Sequence, residues 1–158
     1  MNAQTTAALL RRQAFFDGLS EQRIAKLGAL AREVRFERDR VLFREGEEST
    51  DFYVIVSGMV ALEIAPLGEA LRMDTLSAGD EFGFSAVMGH KTVFQARVLQ
   101  DLHALAMDSA KLRALCESDP AFGYEFMRRL MCVVADRLQV TRLHVIDSYW
   151  PVAQRAGA

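Results

Sequence analysis

The chain has 158 residues, 51% of them apolar and 25% charged, a composition that excludes disorder and leaves enough apolar mass for one domain with its own core. A formal net charge of -2, with basic residues interleaved among acids, excludes a dedicated phosphate-neutralising surface of the kind nucleic acids require. No apolar run reaches membrane-spanning length and Met-Asn-Ala-Gln-Thr-Thr is no signal peptide. The expectation is a soluble cytoplasmic protein, with Cys116 and Cys132 as inert thiols in buried helical segments.

In chain order, residues 7–16 predict a short amphipathic helix ended by Asp17-Gly18. Ser20 with Glu21 behind it reads as the N-cap of a second helix, whose buried stripe is Ile24, Leu27 and Leu30. From Glu33 the apolar period drops to two. Strands are expected over Val34–Phe36, Val41–Phe43, Phe52–Val56, Met59–Ala65, residues 70–77, Phe94–Gln100 and Leu102–Met107. Turns at Glu45-Gly46-Glu47, Ser57-Gly58, Pro66-Leu67-Gly68-Glu69 and Asp101 punctuate them. About seven short strands at near-regular spacing indicate a closed or double-sheeted antiparallel barrel. The single domain thus divides into N-terminal helices (1–31), a β-barrel (32–107) holding a glycine-flanked insertion (79–95), C-terminal helices (108–149) and a tail (150–158).

After the barrel, Ser109 reads as the cap of a helix over Ala110–Cys116, and Pro120 as the first helical position of a last helix ending at Trp150-Pro151. Met127, Met131, Val134, Leu138, Thr141 and Val145, with Leu130, follow three- and four-residue steps along it. A helix longer than its barrel needs predicts pairing with the same helix of a second chain, giving a homodimer. The same spacing also suits a helix lying back on its own barrel. Met127 and Met131 with Phe122 and Phe126 fit either core packing or an adaptable lid.

The three histidines, His90, His103 and His144, fall in the insertion, a strand and a helix, with no His-x-His pair. A cupin-like metal enzyme is therefore a distant alternative, since its ligands must converge from one face. No serine lies in Gly-x-Ser-x-Gly, so no catalytic residue is assigned.

Three segments carry a resemblance: Val-Leu-Phe-Arg-Glu-Gly-Glu (41–47), Phe-Tyr-Val-Ile-Val-Ser-Gly-Met-Val (52–60) and Ala-Gly-Asp-Glu-Phe-Gly (78–83). With Ala-Asp-Arg-Leu-Gln-Val-Thr (135–141), they resemble the cyclic nucleotide-binding domain of catabolite activator-type regulators over about residues 15–145. The resemblance implies a jelly roll of about eight strands flanked by helices. It also implies cyclic AMP or cyclic GMP held in the insertion, and C-terminal helices that report ligand to a second module.

The departures from the pattern matter as much. Where the family has a glutamate for the ribose 2′-hydroxyl, this chain has Phe84, and the family's phosphate-binding Arg-Ser or Arg-Thr pair falls on Thr92-Val93. Lys91 can slide into the arginine's place, but neither Lys nor Thr reproduces a bidentate fork. Charged hydrogen bonds lost at about 1.5–3 kcal/mol each weaken binding tens- to thousands-fold. Gly83, Phe84, Ser85 and Ala86 still offer backbone N–H groups at a helix start, so weak cyclic AMP or cyclic GMP binding with Lys91 is the second reading, and a different anion or an apolar ligand a third. The expectation is a non-catalytic regulatory module without bound cofactor, acting by dimerisation and contact with a regulatory protein. No recognition helix follows the long helix in this sequence, so no direct DNA binding is expected.

Overall fold

The computed structural model describes residues 3–156. Helix α1 (Ala3–Arg11) and a 3-10 turn (Ala14–Phe16) precede α2 (Glu21–Leu30). Strands β1 (Ala31–Phe36), β2 (Val41–Phe43), β3 (Asp51–Ile64), β4 (Leu71–Leu76) and β5 (Glu81–Phe82) lead to the short α3 (Phe84–Met88). The chain continues through β6 (Gln95–Asp108), α4 (Ser109–Ser118) and α5 (Pro120–Ala156).

The first helix ends earlier than its apolar pattern predicts. Gln13 turns extended and its side-chain amide donates to the Leu9 carbonyl, closing the helix. The chain then resumes as a 3-10 turn, which lets the adjacent Phe15 and Phe16 both enter the core. Ser20 caps α2 as expected, accepting from Arg23 N–H at 3.3 Å.

Two expected strand pairs prove to be single strands of 14 residues each, β3 and β6. They run antiparallel from Asp51↔Asp108 to Glu63↔Gln95, with the register slipping around Ser57–Val60. Gly58 does not end its strand. Its φ of 101° and a carbonyl of Asp101 that a Cβ would meet at 2.3 Å make it a point of close backbone crossing inside the ladder. Each long strand changes partner about this region. The second half of β6 pairs β1 and the first half pairs β2, while β3 pairs β5 at one end and β4 at the other. Six strands thereby build the double-layered antiparallel jelly roll with flanking helices and a long C-terminal helix.

Side-chain alternation on these two strands divides the interior in two. Phe52, Val54, Leu105 and Met107 point to a core shared with Leu10, Leu27, Leu112, Phe122, Phe126 and Leu130 of the helices. Tyr53, Ile55, Ala104 and Ala106 point the other way, into the barrel with Phe43, Val60, Leu62, Leu76 and Phe82. Phe126 stands edge-on to both Phe15 and Phe52, at 5.5 and 5.7 Å between centroids.

At the C-terminal helices three details differ from expectation. Asp108, not Ser109, caps α4: its carboxylate accepts Lys111 N–H at 3.0 Å and is thereby held below the ordinary carboxylate range. Ser109 is helical and buried, with its N–H given to the Thr50 carbonyl. α5 begins at Pro120, but continues through Trp150-Pro151 to Ala156, because proline forfeits one backbone hydrogen bond without forbidding helical dihedrals. Cys132 is exposed rather than buried, since it faces away from the core on which Leu130 and Val133 pack, and Cys116 is half-buried.

Candidate functional site

The insertion folds as β5, a tight left-handed step at Gly83, α3, and a return loop to β6. Gly83 has φ 86°, and a Cβ there would lie 2.5 Å from the Asp51 carbonyl, so only glycine lets β5 turn into α3 against β3. Behind it Tyr53 stacks on Phe82 with centroids 4.7 Å apart. Burial pushes the Tyr53 phenol up to about 12, aided by the Asp51 carboxylate.

Gly83, Phe84, Ser85, Thr92 and Val93 lie together around one cavity, with Phe43, Leu62, Phe82, Phe94 and Arg137 completing its wall. Its free volume is about 10 Å³, room for a single water. Phe43, Phe82, Phe84 and Phe94 contribute four aromatic rings to its wall.

Thr92 is buried, and its hydroxyl donates at 2.6 Å to the Arg44 carbonyl and at 3.1 Å to that of Glu47. Its backbone joins the same turn, with Thr92 N–H on the Glu47 carbonyl and Gly46 N–H on the Thr92 carbonyl. The residue at the expected phosphate position thus clamps the 44–47 turn to the insertion.

Two expected site residues lie elsewhere. Ala86 is buried with its carbonyl accepting from Arg113 at 2.7 Å, and it does not line the cavity. Lys91 is exposed beside His90 on the rim of an apolar groove of about 530 Å³, formed by Phe84, Met88, Val93, Leu130, Met131 and Val134. Phe84, Ser85 and Val93 line both the groove and the cavity.

Arg137 was not foreseen as a site residue. It comes from α5, is 8% exposed, and lies 5.7 Å over the Phe84 ring while Nη2 donates to the Glu81 carbonyl. Burial pulls its guanidinium below its ordinary value, opposed by the charges of Glu81, Asp74 and Asp80. Burial likewise raises Glu81, opposed chiefly by Arg137. The available signal is the seven-residue step from Leu130, which returns position 137 to the inward face of α5.

On the proposed dimer stripe, Met131, Leu138 and Val145 are exposed, while Met127, Val134 and Thr141 are half-buried and Met127 packs on the helical core. Phe122 and Phe126 lie wholly inside that core. His90 and His144 are exposed, and His103 pairs with Glu33 at 3.0 Å across β6 and β1. Among the described residues no group of three or more His, Cys, Asp or Glu side chains is placed to hold a metal, and no helix is long and apolar enough to cross a membrane.

Residues 33–119, spanning the sheet, the insertion and α4, match the family profile of the cyclic nucleotide-binding domain. The chain belongs to this family. A curated relative, the CRP-like cAMP-activated global transcriptional regulator of Mycobacterium tuberculosis, is 30% identical over 142 residues, covering 88% of this chain and 61% of its own length. Among solved structures, the N-terminal domain of a transcriptional regulator from Streptomyces coelicolor superposes with a TM-score of 0.66 at 25% identity, over 84% of this chain and 94% of that one. The regulatory subunit of a cAMP-independent protein kinase A from Trypanosoma brucei shares the fold, with a TM-score of 0.63 at 20% identity over 68% of this chain and 40% of that one. The chain spans 61% of the length of the mycobacterial relative.

Proposed function

We propose that this domain is a non-catalytic regulatory module whose pocket has lost the two polar anchors for a cyclic nucleotide, and which acts through dimerisation along α5 and contact with a regulatory protein. The observation that carries this reading is the environment of Thr92. At the phosphate position the chain offers a hydroxyl already donated to two backbone carbonyls, beside a cavity of about 10 Å³ walled by Phe43, Phe82, Phe84 and Phe94. The insertion itself offers a cyclic phosphate there no fork of charged donors, and the cavity little space. A cAMP-bound form of the trypanosome subunit supports the reading from the opposite side: in it a consecutive threonine and valine are replaced by arginine and alanine, together with a glutamate replaced by alanine. This chain carries Thr92-Val93.

Calorimetric titration with cyclic AMP and cyclic GMP tests the proposal. The native chain is expected to give no saturable heat at micromolar nucleotide, and Phe84→Glu combined with Thr92→Arg is expected to gain affinity. Tight binding by the native chain would overturn the loss of the pocket. The second reading, a working cyclic nucleotide sensor using backbone amides and Lys91, is favoured by the cAMP-activated relative, and that same tight binding would establish it.

A further inference from the structure

Besides the aromatic cavity, Arg137 lines a separate shallow depression of about 100 Å³ between α5 and the barrel. Four carboxylates meet there: Asp74 from β4, Asp80 and Glu81 at the start of β5, and Asp136 from α5. Asp136 is exposed and the other three are half-buried, so all are within reach of solvent. Asp74 and Asp80 each accept one nearby backbone N–H. Among the described residues, none of the four forms an ion pair with a lysine, arginine or histidine. Burial raises Glu81 above its ordinary value; Arg137 opposes this, while Asp80 and Asp136 add to it. Leu76, Val133 and Val140 supply apolar surface beside the acids. A second, independent feature is Arg137 itself, 8% exposed with Nε and Nη1 lacking any hydrogen-bond partner. Buried donors of that kind are unfavourable unless something accepts from them.

The depression thus has two unmet needs of opposite kind. Its carboxylates call for a cation, and Arg137 calls for an acceptor. An anionic acceptor would meet four like charges at close range, so the acceptor that fits is neutral. A basic peptide carries both groups: uncharged main-chain carbonyls, and lysine or arginine heads on apolar stems. We propose that this depression is a docking surface for a basic segment of a partner protein. One cationic side chain enters among Asp74, Asp80, Glu81 and Asp136 with its stem along Leu76, Val133 and Val140, and a main-chain carbonyl of the segment accepts from Arg137. A volume of about 100 Å³ takes one long side chain and no folded element. The idle nitrogens are closed to solvent in the free chain, so docking draws the guanidinium outward to meet the carbonyl. The segment touches α5 and the barrel together, and holds the second half of that helix against β4 and β5. Val133, Arg137 and Val140 lie on a different face of α5 from Met131, Leu138 and Val145, so docking leaves the exposed apolar stripe open. The inference rests on the reading of the domain as a regulatory module that works by protein contact, and it names the chemistry of that partner.

The test follows the fluorescence anisotropy of a capped, fluorescein-labelled peptide of alternating arginine and alanine, titrated with the full chain at low salt. Saturable binding is expected, and Asp74→Asn combined with Asp136→Asn should weaken it about tenfold or more. Glu69→Gln combined with Glu117→Gln removes the same charge from exposed positions outside the depression and should leave binding unchanged. Arg137→Met, which removes the donor and keeps an apolar stem, should weaken binding about threefold or more. Absence of saturable binding refutes the docking surface, and so do equal losses in the two double variants, which would mean attraction to net charge alone. Undiminished binding in Arg137→Met overturns the carbonyl contact. Spermine, titrated as a competitor, is expected to bind more weakly than the peptide, because it brings cations without a carbonyl; equal affinity would put a free polyamine in place of the protein partner. The nucleotide titration is separate: tight cyclic nucleotide binding overturns the lost pocket and leaves this surface standing, while a failed peptide titration leaves the reading of the pocket intact.

Discussion

The two halves of α5 are held by different physics. From Pro120 to Leu130 the helix is anchored: Phe122, Phe126 and Leu130 are buried, and Arg129 donates to the carbonyls of Phe15 and Asp17. From Met131 to Tyr149, Arg137 is the residue that reaches full burial among those described, and Met131, Leu138, Leu143, Val145, Ile146 and Tyr149 are exposed. The first half fixes where the helix starts and in which direction it leaves the barrel. The second half keeps one buried side chain, Arg137, beside the half-buried Val133, Val134, Val140 and Thr141, and presents an uncovered apolar face. The proposed reading needs this division, because an element packed along its whole length could not respond to a ligand without unfolding its core.

The largest way to break the contrast is at Phe126. Phe126→Ala is expected to destabilise the fold by about 3–5 kcal/mol in urea unfolding, since it empties an aromatic cluster that cannot collapse around the gap. A loss below about 1 kcal/mol would mean the first half of α5 is not the anchor.

Next comes a pH effect in the barrel. The folded Tyr53 phenol is raised from 10.0 to about 12, so its stabilising contribution is complete below pH 10 and disappears as pH rises through 12. Native stability should therefore fall by on the order of 2 kcal/mol across that window, and Tyr53→Phe should flatten that part of the curve. Parallel curves would refute it.

Thr92→Val sharpens the comparison at the insertion. Removing the hydroxyl from the Arg44 and Glu47 carbonyls should cost about 0.5–1.5 kcal/mol and loosen the 44–47 turn, readable as faster amide exchange at Gly46.

The smallest expected effect on folding is at Leu138, which is 68% exposed. Leu138→Glu should change folding stability by no more than about 0.5 kcal/mol, yet convert a dimer to a monomer in sedimentation if this face pairs with its copy. An unchanged sedimentation coefficient would remove α5 as the dimer contact.

Much of the fold was legible because strands declare themselves by a period of two and by the glycines between them. Gly83 is the clearest case: its place in the glycine spacing pointed to the family, and in three dimensions a carbonyl of β3 lies where a side chain would be. Continuity was not legible. Gly58 and Asp101 read as strand ends, yet both lie inside β3 and β6, because strand pairing holds a long strand together across a local irregularity. At Gln13 the reverse occurred: an apolar pattern ran on, but a side-chain amide bonded the Leu9 carbonyl in the last turn and the helix ended.

The sequence by itself determined the jelly roll, its insertion and the Thr92-Val93 pair where the resemblance implies an arginine, since each depends on residue identity within a short window. Only the tertiary structure decided that Thr92 binds the turn before it and that Arg137 enters the cavity from a helix far along the chain. Burial of a single charged side chain depends on the direction in which α5 leaves the core. That direction is set by Phe122 and Phe126 packing on strands remote in sequence, and no local pattern encodes it.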